Sequence, residues 1–148
     1  MRLFSTFALG LIVGAAAIGA LSPAALAGPN ASPEDAEVYI IAPQDGATVK
    51  SPFKVQFGLK GMGVAPAGTA KEHTGHHHLL IDVAPPAGED LEMPLPADEQ
   101  HLHFGGGQTE VMLDLEPGTH TLQLVLGDEN HVPHNPPVMS DIITITVE

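Results

Sequence analysis

The chain contains no cysteine and no tryptophan, and its single arginine is Arg2. Without cysteine it cannot form a disulfide, and thiol catalysis, iron–sulfur clusters and a blue-copper centre with a cysteine ligand are excluded. Besides Arg2, the basic residues are four lysines, which face eighteen acidic residues. Because nucleic acids and anionic lipids are bound through Lys and Arg, we expect neither as a partner.

The first 27 residues have the pattern of a secretory signal peptide. Arg2 supplies a positive start, residues 3–21 are nearly all apolar or small, and Ala25-Leu26-Ala27 has the A-x-A form of a cleavage site. The apolar run is short and Pro23 interrupts it, which favours cleavage over a stable membrane anchor. We therefore expect a periplasmic or secreted protein. Its four lysines and eighteen acids would give it a net charge of −14 with neutral histidines.

After a polar linker at residues 28–36, the hydrophobic pattern has a period of two. In residues 53–59 every second side chain is apolar, which is typical of a half-buried strand. Further strands are predicted near residues 37–41, 76–83, 101–104, 109–115, 120–126 and 141–147. Short strands between Gly and Pro turns, with no helical period, predict an all-β fold. We expect an immunoglobulin-like antiparallel β-sandwich of about seven strands over residues 37–148.

Eight of the nine histidines form three dense groups, near residues 73–78, 101–103 and 131–134. Imidazole is the commonest transition-metal ligand in proteins. In a strand, residues i and i+2 face the same way about 6.6 Å apart, so a His-x-His pair can direct two nitrogens at one ion. An immunoglobulin-like strand order brings the three groups to one end of the sandwich, across its two sheets. The predicted metal ligands are His76, His78, His101, His103, His131 and His134.

The remaining histidines have other predicted roles. His77 alternates with apolar residues and is expected to be buried and hydrogen-bonded. His120 is expected at the opposite end of the sandwich, where many immunoglobulin-like domains have a tyrosine that bonds back to the main chain. His73 lies in a loop, and its pattern does not distinguish a ligand from a bystander.

Three motifs carry a resemblance to a known family. GHHHLLID at residues 75–82, HFGGGQTE at 103–110 and LGDENHVPHNPP at 126–137 resemble a family of exported bacterial domains of unknown function. The resemblance implies export and a small β domain, and no activity. APQDGATVKSP at 42–52 is also similar to the start of periplasmic copper-carrier sandwiches. Those carriers bind copper through an N-terminal histidine, whereas this chain would begin at Gly28 after cleavage.

These patterns favour a non-enzymatic domain that binds copper or zinc. A metal-free structural or interaction module of the cell envelope is the alternative, and a pH-sensitive surface is a third interpretation of the histidines. No nucleophile–base arrangement stands out, which argues against an enzyme. The expected partner is a metal ion or an envelope protein, and the sequence leaves the metal, the physiological role and the oligomeric state open.

Overall fold

The computed structural model describes residues 30–148 of the 148-residue chain. The predicted signal peptide and the first two residues of the predicted linker lie outside this range. In it are a short 3-10 helix, Gly88–Glu92, and nine strands: β1 (Glu37–Ala42), β2 (Thr48–Val49), β3 (Phe53–Lys60), β4 (Gly63–Val64), β5 (Thr74–Ile81), β6 (His101–His103), β7 (Glu110–Leu113), β8 (Gly118–Gly127) and β9 (Ile143–Val147). Within these residues, no helix combines the length and apolarity that a membrane span requires.

The strands form two sheets, and the predicted all-β sandwich is confirmed. One sheet has the order β1-β3-β7, and the other has the order β2-β9-β8-β5-β4, with β6 also paired to β5. All pairings between the longer strands are antiparallel. The two-residue strands β2 and β4 pair in parallel, so the larger sheet is mixed. Sequence alternation does not predict them, because two residues are too few to show a period.

The inner faces of the two sheets form the main apolar core. Its buried members include Val55 and Phe57 of β3, Leu79 and Ile81 of β5, Leu122, Leu124 and Leu126 of β8, and Ile145 of β9. These positions are two residues apart within each strand, so the alternation that predicts the strands also selects their inner faces. Since the chain has no cysteine, this packing joins the sheets without a disulfide.

Strand β5 is buried on both faces along nearly its whole length. Its outer face, which carries His76, His78 and Leu80, is covered by loops and not by the second sheet. Leu80 packs against Leu95 and Val125, and this small cluster is flanked by Val83 and Met139. The proline-rich loop at residues 84–100 therefore covers Leu80.

The segment before β1 is attached to the loop that follows β8. The N–H of Asn135 donates to the oxygen of Asn30 at 3.0 Å, and the N–H of Ser32 donates to the oxygen of Asn135 at 3.2 Å. Ala31 and Asn135 form a parallel bridge. The described part of the predicted linker thus supports one of the loops that cover the outer face of β5.

Candidate metal centre

Four histidines meet on the outer face of the larger sheet: His76 and His78 from β5, His103 from β6 and His131 from the loop after β8. One potential ligand atom of each lies within 4.8 Å of those of the other three. The Nε2 atoms of His76 and His78 are 3.1 Å apart, and Nε2 of His76 is 3.1 Å from Nδ1 of His131. The ring of His103 lies 4.7 Å from that of His131, centroid to centroid. Among residues 30–148 this is the only such group of three or more histidines or acids.

Strand register brings these side chains together. His76 and His78 are two residues apart in β5 and therefore share its outer face. His103 lies directly opposite His78 in the antiparallel pairing of β5 with β6. His76 lies opposite Gly127, the last residue of β8, so the loop that starts there passes over the two β5 histidines. His131 belongs to that loop, and its ring contacts the other three.

His131 is held in an unusual backbone conformation by a tight loop. Its φ is +69°, in the left-handed region that few residues other than glycine adopt. The carboxylate of Asp128 accepts the N–H groups of Asn130 at 2.8 Å and Val132 at 3.0 Å. The N–H of Leu95 donates to the oxygen of His131 at 2.9 Å, which connects the proline-rich loop to the same residue.

Burial keeps His76 and His78 neutral. His76 is 0% exposed and His78 is 1% exposed. Burial, and next to it the neighbouring imidazoles, lowers the pKa of His76 to about 4 and that of His78 to about 3. Burial and His131 also lower the pKa of the more exposed His103. At neutral pH these three rings are therefore unprotonated, and each has a nitrogen lone pair.

Two glycines leave the space that the rings occupy. A Cβ on Gly127 would lie 3.0 Å from Nε2 of His78, and a Cβ on Gly105 would lie 2.6 Å from Nε2 of His103. Real Cβ atoms rarely approach other atoms this closely, so a side chain at either position would displace the ring. Gly105 belongs to the triple glycine after β6, which therefore accommodates His103.

The arrangement can hold one metal ion of the kind that nitrogen ligands prefer. In a tetrahedral zinc site with Zn–N distances of about 2.0 Å, neighbouring nitrogens are about 3.3 Å apart. The two 3.1 Å separations in the cluster are close to this value. Within the described chain, Nδ1 of His76 and Nδ1 of His78 have no hydrogen-bond partner, so neither ring is oriented through that atom.

Two of the six predicted ligands lie outside the cluster. His101 is paired with Leu80, and its Nδ1 lies 2.9 Å from a carboxylate oxygen of Asp98. His134 is buried, and its Nδ1 donates to the oxygen of Asn30 at 3.0 Å. His134 also packs against Gly75, whereas His101 is paired with Leu80. Gly75 and Leu80 are five residues apart, which is about 16 Å along β5, so His101 and His134 are far from each other. The expectation of one site spanning both sheets is therefore wrong, since the four clustered rings lie on one sheet.

The other three histidines have separate environments. His77 is buried against Phe57 in the core, with ring centroids 5.2 Å apart. By distance and angle neither ring nitrogen has a hydrogen-bond partner within residues 30–148, although the main chain of Gln108 is near enough to the ring to raise its pKa against the larger effect of burial. His73 is exposed in the loop before β5.

His120 has the predicted structural role at the opposite end of β8. Its Nε2 donates to the oxygen of Glu116 at 2.9 Å, and its Nδ1 lies 2.7 Å from a carboxylate oxygen of Asp82. The bond to Glu116 returns to the main chain four residues earlier, as a corner tyrosine would. Because both partners are acceptors, they favour the doubly protonated ring.

The domain is a β-sandwich of immunoglobulin-like strand order, and four clustered histidines lie on the outer face of its larger sheet. The family model for a domain of unknown function, DUF4399, matches residues 55–148, a range that contains all four histidines. The chain belongs to this family, which confirms the expected membership in a family of unknown function. No curated protein and no solved structure matches the chain.

Proposed function

We propose that this domain binds one transition metal ion, copper or zinc, through His76, His78, His103 and His131. The observation that carries the proposal is the approach of four imidazole nitrogens to within 4.8 Å of one another. Each neutral imidazole has one N–H group and one nitrogen lone pair. At this distance there are therefore few arrangements in which the four rings satisfy each other's hydrogen bonds. An ion among them would accept all four lone pairs.

The electrostatics of the domain support cation binding. A metal ligand must be deprotonated, and the lowered pKa values of His76 and His78 mean that an ion displaces no proton from either at pH 7. The chain has a net charge of −13, which attracts cations to its surface. Imidazole ligands without thiolate suit Zn(II) and Cu(II).

We propose that the ion is held without catalysis. Catalytic zinc sites use three protein ligands and keep a fourth position open for water or substrate, whereas structural sites use four. The cluster offers four protein nitrogens and so fills a tetrahedral ion. A carrier or storage function needs only such a closed and reversible site.

We further propose that the domain works outside the cytoplasm, in the periplasm or as a secreted protein. The signal-peptide pattern at residues 1–27 supports this location. There the domain would meet free metal ions or an envelope protein that exchanges them.

The experiment that tests metal binding is titration of mature protein made without a histidine tag. We expect one ion per chain with a dissociation constant below about 1 µM, and tighter binding of Cu(II) than of Zn(II) because nitrogen sites follow the divalent series. Elemental analysis of protein purified from the periplasm identifies the ion held in the cell. Failure to bind either ion in stoichiometric amount would contradict the proposal.

A different surface favours the alternative of a metal-free interaction module. A cavity of about 340 Å³ opens beside the proline-rich loop, and its lining includes Pro85, Pro86, Met93, Pro94, Pro96 and His101. Met93 is 59% exposed there and offers an apolar side chain to a partner beside the prolines. A module that acts through this surface would bind its envelope partner equally well with added metal and with chelator.

A further inference from the structure

We propose that Asp128 is the positioning residue of the metal centre, and that it fixes the fourth ligand, His131, over the three ligands of the sheet. The inference rests on the proposed metal binding and names the residue that holds its fourth ligand in place. Asp128 would determine whether the ion has four protein ligands or three.

The four histidines are not held equally. His76, His78 and His103 project from paired strands, where cross-strand hydrogen bonds fix the backbone. His131 comes from a loop and has a φ of +69°. Such a conformation is strained and persists only where the surroundings enforce it. The conformation of His131 therefore needs a cause in its neighbours.

Asp128 supplies most of that cause. Its carboxylate accepts the N–H groups of Asn130 and Val132, the residues on either side of His131. Its own oxygen accepts the N–H of His131 at 3.0 Å, and its own N–H donates to the oxygen of Val132 at 2.8 Å. These four hydrogen bonds enclose His131. Those to the carboxylate are charge-assisted and hence stronger than neutral ones.

The position of Asp128 suits this role. It is only 7% exposed, so solvent does not compete strongly for its carboxylate. It follows Gly127, which lies opposite His76, so the enclosure is built on the strand that borders the cluster. Without the carboxylate, we expect the loop to relax away from the left-handed conformation and His131 to leave the ion. The three histidines on the strands would remain in place.

The test compares Cu(II) binding by the full mature protein and four variants. Asp128→Ala removes the two carboxylate bonds of the enclosure and leaves its two backbone bonds. Asp128→Asn keeps an acceptor oxygen for both N–H groups, and His131→Gly removes the fourth ligand itself. Glu129→Ala is the matched control. Glu129 is adjacent and has the same charge, but its contact is made by its backbone oxygen, which accepts the N–H of Gly68.

We expect Asp128→Ala to weaken Cu(II) binding by about 10–100-fold, the usual effect of losing an outer partner of a metal ligand. Asp128→Asn should recover most of this loss, and Glu129→Ala should stay within about threefold of wild type, because Glu129 is only partly buried and makes no carboxylate bond to the loop. The Cu(II) electron paramagnetic resonance spectrum of Asp128→Ala should match that of His131→Gly. Millimolar imidazole should restore the wild-type spectrum in both, because the free ring occupies the vacant position.

The outcomes separate this inference from the proposed function. If wild-type protein binds no Cu(II), the proposed function fails. If wild-type protein binds Cu(II) and Asp128→Ala binds it with the same affinity and spectrum, only the role of Asp128 is wrong. Equal losses in Asp128→Ala and Glu129→Ala would assign the effect to charge and would also overturn the positioning role.

Discussion

His78 and His103 lie directly opposite each other across β5 and β6, and their ring centroids are 5.1 Å apart. The next pair on the same face joins Leu80 to His101. One strand of three residues therefore presents one histidine to the cluster and another to the cavity beside the proline-rich loop. This division provides matched variants for testing the metal site.

The first prediction concerns the two histidines of β6. His103→Ala should weaken Zn(II) and Cu(II) binding by at least about 100-fold, since a direct ligand matters more than an outer partner. His101→Ala should stay within about threefold of wild type, because His101 lies outside the cluster. Calorimetric titration against a competing chelator measures both. Comparable losses in the two variants would mean that His101 also ligates the ion.

The second prediction separates metal binding from the metal-free alternative. An ion that binds only the folded state at 100 times its dissociation constant stabilises that state by about 2.7 kcal/mol. For a domain of this size the melting temperature at pH 7 should rise by roughly 10 °C. His103→Ala should show a much smaller rise. An unchanged wild-type melting temperature, with metal and with chelator, would favour the interaction module.

The third prediction concerns the space around His78. In Gly127→Ala the new Cβ would lie 3.0 Å from Nε2 of His78, so the ring must move. We expect a loss of about 1–3 kcal/mol in the free energy of unfolding and weaker metal binding. Gly63→Ala is the control, because its Cβ would make an ordinary 3.4 Å contact with Thr74. Urea denaturation and metal titration of both variants check this. Normal binding by Gly127→Ala would show that His78 has room to adapt.

The fourth prediction is a pH-dependent role for His120. The hydrogen bond to Asp82, and next to it the bond to Glu116, raises the pKa of His120 above its usual value. A raised folded-state pKa stabilises the fold below about pH 6.5, and this stabilisation is lost as the pH rises through the folded-state pKa. Burial tends to raise the pKa of Asp82, but its hydrogen bonds to His120 and Thr121 outweigh burial and lower that pKa. The carboxylate therefore remains charged throughout the relevant range.

His120→Ala should accordingly lower the free energy of unfolding by about 0.5–1 kcal/mol more at pH 6 than at pH 9. This difference in free energy is small because Asp82 is partly exposed and solvent screens its interaction with His120. His73→Asn is the control for removing an imidazole, and asparagine tolerates the positive φ of that position. Urea denaturation at the two pH values measures the difference. A larger effect at pH 9 would reverse the sign and refute the ion pair.

The fifth prediction concerns the core residue His77. Within the described residues neither ring nitrogen makes a hydrogen bond of good geometry. Burial lowers the pKa of His77 to about 4, and the nearby main chain of Gln108 only partly offsets this. An unsatisfied buried polar group costs about 1–3 kcal/mol, so His77→Leu should stabilise the metal-free protein by about 1–2 kcal/mol. Denaturant unfolding with chelator present measures this. Destabilisation would show that the ring makes a favourable interaction beyond its packing against Phe57.

The sequence predicts the longer strands and the main core because alternation and inner-face burial have the same period. Leu80 departs from this alternation, because it is apolar but lies on the outer face, where a loop covers it. Three of the predicted ligands, His76, His78 and His103, meet because residue spacing and strand order constrain where strand residues lie. Strand β6 is too short for its sequence to specify register, and register decides that His103 faces the cluster beside His78 while His101 faces Leu80.

The positions of the loop histidines are harder to predict from the sequence. His131 and His134 are three residues apart, and only the turn enclosed by Asp128 decides which of them reaches the cluster. An aspartate followed by polar residues is a turn signal, so the sequence does contain a clue to this enclosure. The sequence does not reveal that His134 is hydrogen-bonded to the main chain of Asn30, because that bond joins residues 104 positions apart.

With the proposed metal binding, the three consecutive histidines of β5 would impose an order of events on folding and metal loading. In the folded protein His76 and His78 face outward while His77 enters the core, yet in an unfolded chain all three are free to chelate one ion. An ion captured early would hold His77 outside, and it would have to dissociate before β5 could join the sheet. His131 is 55 residues from His76 and becomes available only when the sheet has formed. We therefore expect refolding to be slower with metal present than with chelator, and productive loading to follow folding.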